Sequence, residues 1–184
     1  MTSEEYLKKY TVGALSPLPT AIQIVAYDPD WPRRFELAAG AIRKALGERA
    51  LRIEHAGSTS VPGLPAKPAI DIVLEVADSS RESAYLEALE TAGFSLRIRE
   101  PEWFEHRMFE TPQKDVNLHV FSAGCPEVEK MLTFRDWLRA NADDRDLYAR
   151  TKQELATQDW KYIQHYADAK TAVIEEILAR AARA

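Results

Sequence analysis

Apolar positions recur along the chain with two periods, and the change from one to the other marks its organisation. Phe35, Ala39, Ile42 and Leu46 follow at helical spacing behind Asp30 and Pro32, residue types suited to an N-cap and a first turn, and Gly47 stops the run. This predicts a helix, preceded by a short strand over residues 22–26. Leu51 to His55 alternates and enters a loop rich in Ser, Gly and Pro. The chain re-emerges at Ala69 as a strand with Ile70, Ile72, Leu74 and Val76 on one face and Asp71, Val73 and Glu75 on the other. Ser79 and Glu82 have capping-box spacing and predict a helix that carries Tyr85, Leu86 and Leu89 and ends at Gly93.

Period two then dominates. Phe94 to Arg99, Trp103 to Phe109 and Val116 to Phe121 alternate between Pro-containing or polar turns, the pattern of an antiparallel meander, and the last strand puts Asn117 and His119 on one face. From Pro126 the helical period returns in three helices, with breaks near residues 141–144 and 158–159. The expected fold is therefore α/β in the α+β sense, a mixed sheet with flanking helices and a C-terminal helical bundle. Its parts are an N-terminal arm over residues 1–21, a core over 22–124 and a bundle over 125–184 packed on that core as one structural domain. The arm, with Gly13, Pro17 and Pro19 among small and polar residues, is expected to be poorly packed unless a partner covers it.

Composition narrows the function. The chain has 184 residues, 46% of them hydrophobic, and a net charge of −5, which suits a single soluble globular domain and not a disordered chain. From Pro126 onward ten basic residues meet eleven acidic ones, so no basic face for nucleic acid is expected and any anion site is small. Cys125 is alone, which excludes an intramolecular disulfide and fits a reducing, cytoplasmic location. The start MTSEEYLKKY is charged where a signal peptide is apolar, and no membrane partner is expected.

The loop HAGSTSVPGLPAKPAID, His55 to Asp71, carries the densest candidate chemistry. Gly57 and Gly63 allow backbone to approach a ligand, Ser58, Thr59 and Ser60 offer hydroxyls and amides, and Lys67 adds a positive charge. Pro62, Pro65 and Pro68 stiffen it beyond what a connection needs. Asp71, one step inside an apolar strand, must be solvated, hydrogen-bonded or bound to a cation. Asn117 and His119 repeat that oddity on a second strand, and a magnesium or manganese ion is one way to resolve a meeting of the two polar faces. Glu75 reads more simply as a wet position. Arg135, Lys152 and Lys170 each interrupt the apolar side of a different C-terminal helix; snorkelling explains any one of them, and all three together favour a shared anion. His55 and His106 are possible lining residues, His165 reads as a surface histidine and Cys125 as structural.

The segments HAGSTSVPGLPAKPAIDIVLEV, VNLHVFSAG, FRDWLRA, YARTK and YADAKTAVIEEI, in this order and spacing, resemble the GrpB family of the nucleotidyltransferase superfamily. The resemblance runs from about Ile22 to Leu178. It implies that Gly57-Ser58 is the phosphate-gripping turn and that Asp71 is the first metal-binding carboxylate. The second acid that such enzymes carry two residues on, where two ions neutralise a triphosphate, is here Val73. The leading expectation is metal-dependent nucleotidyl transfer from a nucleoside triphosphate to a small-molecule or protein acceptor. Asp71 and His119 would be the catalytic and metal-holding groups, and Gly57, Ser58, Thr59, Ser60, Lys67, Arg135, Lys152 and Lys170 would grip phosphate. The alternatives are a binding module without turnover and a metal-dependent enzyme for another anionic substrate.

Overall fold

The structure, a computed structural model, describes residues 1–183. Five strands form its centre: β1 Arg52–Ala56, β2 Ile70–Val76, β3 Ser95–Glu100, β4 His106–Glu110 and β5 Val116–Ser122, in the sheet order β1-β2-β5-β4-β3. β2 and β5 are parallel and the other pairs antiparallel, so the meander expected from the alternation is present and its last strand is laid beside β2. This is the mixed α+β architecture that the periodicities imply.

Alternation decides which face does what. Ile70, Ile72, Leu74 and Val76 of β2 join Leu118, Val120 and Phe109 beneath two helices, α2 Trp31–Leu46 and α3 Leu86–Thr91. A fully buried Ile or Leu contributes roughly 1.5–3 kcal/mol against about 1 kcal/mol at most for an exposed ion pair, so this layer holds the sheet. On the opposite face, Val73 of β2 and Phe121 of β5 pack under α4, Pro126–Ala140, through Cys125, Val128 and Leu132. Asp71, Asn117 and His119 share that face and keep partial exposure. A third cluster joins Val61 and Leu64 of the Ser/Gly/Pro loop to Leu138 of α4, Tyr148 of α5 (Ala142–Ala156), and Val173 and Ile177 of α7 (Thr171–Ala181). That packing draws the C-terminal helices onto the loop.

Several elements depart from the sequence expectation. Residues 22–26 make no strand; Val25 forms one bridge, giving and receiving backbone hydrogen bonds of 2.9 and 3.0 Å with Ala66. The Ser79/Glu82 capping box does not close, because the Ser79 hydroxyl meets that of Ser122 and the Glu82 carboxylate is claimed by Arg99 and Arg107. The helix starts only at Leu86, after a 3-10 turn. Residues 101–105 turn before β4 begins, with Phe104 and Glu105 in the left-handed region at φ 55° and 51°. The expected last helix is two, α6 Ile163–Ala169 and α7, divided at Lys170, so among the described residues four helices run from Pro126 onward.

The arm is also better packed than expected. Residues Glu4–Tyr10 form α1, capped by the Ser3 side chain, and Tyr10 is buried. Thr11 then bridges to Ile98 of β3, and the Leu18 amide donates to the Lys161 carbonyl ahead of α6. Among the described residues no helix is long and apolar enough to cross a membrane.

Candidate functional site

β1 and β2 place Gly57 directly after Ala56, the partner of Asp71. Gly57 has φ +64°, and a Cβ built there would lie 2.2 Å from Asp71 Oδ2. Only glycine lets the bend close over the carboxylate. The other oxygen of Asp71, Oδ1, accepts a 2.8 Å hydrogen bond from Asn117 Nδ2, its neighbour in the parallel register. The loop beyond is held by its own hydroxyls. Ser60 donates to the Gly57 carbonyl at 2.5 Å, and Thr59 Oγ1 lies 3.0 Å from His55 Nε2. Arg139 of α4 grips the Ser60 carbonyl at 2.8 and 3.1 Å. Of the three hydroxyls, that of Ser58 faces Tyr148 on α5.

Two lysines lie within electrostatic range of Asp71. Lys152 of α5 is 2% exposed and donates to the Pro65 carbonyl; Lys170 stands at the α6–α7 junction. Burial lowers the pKa of both, that of Lys152 to about 7 with help from the Lys170 charge, and Asp71 works in the opposite direction on each. Among the described residues neither ammonium has a carboxylate within ion-pair distance. The Asp71 charge also acts on His55, His119 and Tyr148, which makes it the common electrostatic neighbour of the cluster.

His119 lies beside Val73 in the parallel register and beside Met108 in the antiparallel one. Its Nδ1 is 3.0 Å from His106 Nε2, and His106 Nδ1 is 2.8 Å from Glu100 Oε2. A carboxylate at the end of this chain assigns the proton on each link: His106 Nδ1 donates to Glu100, His119 Nδ1 donates to His106, and His119 Nε2 keeps its lone pair. Burial, reinforced by His106, lowers the His119 pKa to about 4, so the ring stays neutral.

The remaining candidates are engaged differently. Arg135 is taken up by Glu54 Oε2 at 2.8 Å and by Asp136 at 2.7 Å, and its guanidinium braces the His55 carbonyl. Glu75 is not the wet position expected: it is buried, accepts from the Gly124 amide at 2.8 Å and lies 3.7 Å from Arg52, so its charge is met inside the fold. His55 belongs to the α2 side, stacked on Phe35 at 4.7 Å; burial brings its pKa down to about 4 against the pull of Asp71. Lys67 is half-buried, with no side-chain hydrogen bond or ion pair among the described residues. The residues that sequence reasoning missed are Glu100, Arg139, Tyr148 and Tyr166. The tyrosines lie in apolar stripes and read as core.

Among the described residues no three His, Cys, Asp or Glu side chains come together to hold a metal ion. Asp71, with Oδ2 against Gly57, and the neutral His119 offer two donors. One carboxylate and one imidazole on adjacent strands are too few for an all-protein cage, so an ion there would need most of its ligands from a guest's oxygens or water, and the nitrogen donor suits manganese better than magnesium.

A family model described as "GrpB protein" matches residues 21–180. A UPF0157 protein of Halalkalibacterium halodurans is 55% identical over 97% of this chain and 92% of its own length. Part of a protein named dephospho-CoA kinase from Mycolicibacterium paratuberculosis is 29% identical over 72% of this chain, a match that covers 39% of that protein. A solved structure, the conserved protein GrpB from Enterococcus faecalis, superposes with a TM-score of 0.77 at 31% identity, covering 86% of this chain and 96% of that one.

Proposed function

The chain belongs to the GrpB family, and from that premise we propose that it binds a nucleoside triphosphate and transfers its nucleotidyl group to a small-molecule or protein acceptor, as a member of the nucleotidyltransferase superfamily. One observation carries the reading: a buried ammonium, Lys152, and a half-buried one, Lys170, neither with a carboxylate in ion-pair range among the described residues, share the field of Asp71, the carboxylate under the Gly57 bend. Buried charge left unpaired is costly, and an anionic guest offsets that cost. The partial similarity to a protein named dephospho-CoA kinase is consistent with a nucleotide-type ligand.

In this reading Ser58 and the amides of its bend cradle phosphate oxygens while Lys152 and Lys170 neutralise them from the helical side. Asp71, positioned by Asn117, and His119 Nε2 would hold a magnesium or manganese ion. Such an ion supplies charge neutralisation and polarises the phosphorus under attack. Glu100 and His106 fix the His119 tautomer, the supporting role that a carboxylate commonly plays behind a metal-binding imidazole. Incubation with each triphosphate, magnesium or manganese and an acceptor panel is expected to release pyrophosphate, and Asp71→Asn to abolish that release with the fold intact. Silence across the panel contradicts transfer.

Val73 supports a second reading. With no acid at that position, the site binds the nucleotide or another anionic metabolite without turning it over. At a hundredfold excess over Kd a ligand adds about 2.7 kcal/mol, which for a chain of this length raises Tm by about 5–10 °C. That shift without product selects binding alone.

A further inference from the structure

The pattern Tyr-Ala-x-x-Lys occurs twice, as Tyr148 to Lys152 on α5 and as Tyr166 to Lys170 at the end of α6. A spacing of four puts both side chains on one helix face. Each ammonium lies over its own tyrosine ring, 4.8 Å from the centroid for Lys152 and 4.7 Å for Lys170. The fold then sets the two pairs against each other: the Lys170 charge acts on Lys152 and that of Tyr148 on Tyr166.

Two features leave this cluster incomplete. The ammoniums repel, and among the described residues no carboxylate lies in ion-pair range of either. Tyr166, 4% exposed, also has a buried hydroxyl with no hydrogen-bond partner among the described residues. Native structures seldom leave such a group unmet. A guest that answers both must accept a hydrogen bond from a phenol and carry about two negative charges in a small volume. A carboxylate brings half that charge and chloride lacks the directional oxygens.

The geometry points to a dianion subsite in which the paired Tyr-Ala-x-x-Lys motifs hold the terminal phosphoryl group of a phosphate monoester or polyphosphate through two ammoniums and the Tyr166 hydroxyl, with no metal ion required. This deepens the triphosphate reading by naming where the terminal phosphate sits, and rests on it only for the identity of the whole ligand.

The test titrates the full chain in excess EDTA with sodium phosphate, sodium sulfate or, at equal ionic strength, sodium chloride, followed by calorimetry and melting. Phosphate and sulfate are expected to bind and to raise Tm, and chloride to do neither. Tyr166→Phe is expected to weaken phosphate binding about tenfold and Lys170→Met by more. Tyr166→Phe should melt no lower than the parent without anion, since it removes an unmet polar group. Equal response to chloride, binding that needs added magnesium, or a Tyr166→Phe protein that binds phosphate like the parent overturns the proposal. If Lys170→Met fails to fold, the Tyr166→Phe comparison decides alone. Phosphate binding in EDTA with a silent pyrophosphate assay refutes transfer and leaves the subsite standing; pyrophosphate release without metal-free phosphate binding does the reverse.

Discussion

At Gly57 the absence of a side chain is a structural requirement, because the bend and the Asp71 carboxylate occupy the same few ångströms. Gly57→Ala forces either the bend or the carboxylate to move and adds positive-φ strain, together about 1–3 kcal/mol. A denaturant midpoint measures this, and an unchanged midpoint contradicts the close approach. Lys152 carries the clearest pH signature. Its neighbours are the Lys170 ammonium, the Asp71 carboxylate and the Tyr148 ring, and burial brings its pKa from 10.5 to about 7. The folded form therefore releases its proton near pH 7 while the unfolded chain keeps it to above pH 10. Stability rises with pH through that window, by about 2 kcal/mol between pH 7 and 9. Lys152→Met is expected to melt higher at pH 7 and to flatten the profile; a profile as steep as the parent's shows that the ammonium is solvated.

At the scale of elements, β5, β4 and β3 turn two histidines and a glutamate into one hydrogen-bonded line. Glu100→Gln removes the charge that fixes the tautomers without removing volume. It is expected to cut pyrophosphate release about ten- to a hundredfold, with a shift in the pH-rate profile that a purely structural change does not produce. Wild-type rates and profile in that variant remove the line from the mechanism. Alternation made the strands legible: Ile70, Ile72, Leu74 and Val76 announce one buried face, and Asp71 stands out against it. The same logic could not see that Glu75 is satisfied, since its partner is the amide of Gly124, far along the chain. Nor could it see the turn at Phe104 and Glu105, which adopts left-handed backbone without glycine or asparagine. Arg135 and Lys170 looked alike, a cation in an apolar stripe, and only tertiary packing separates them, because Glu54 arrives from β1 to pair with the first. Tyr148 and Tyr166 hide as core residues by hydropathy; the signal that reveals them is the repeated spacing to a lysine.

At the scale of the whole molecule, the loop after β1 is the joint between sheet and helical bundle, and the arm is a second tie. Tyr10 is buried, Thr11 pairs with β3, and Leu18 reaches Lys161 across to the bundle. Deleting residues 1–12 removes one aromatic anchor, worth about 2 kcal/mol, and is expected to lower Tm by about 4–8 °C while phosphate binding persists. An unchanged Tm means the arm packs too weakly to matter, and lost binding places it in the site.

The proposed function stands on Lys152 and Lys170 closing on one anionic guest beside Ser58 and Asp71. A crystal of the full chain soaked with a non-hydrolysable triphosphate and magnesium tests it most directly. Phosphate density is expected against both lysine ammoniums and the Tyr166 hydroxyl, with the Gly57-Ser58 bend along its flank. Ordered triphosphate bound elsewhere, with Lys152 and Lys170 unchanged and untouched, contradicts it.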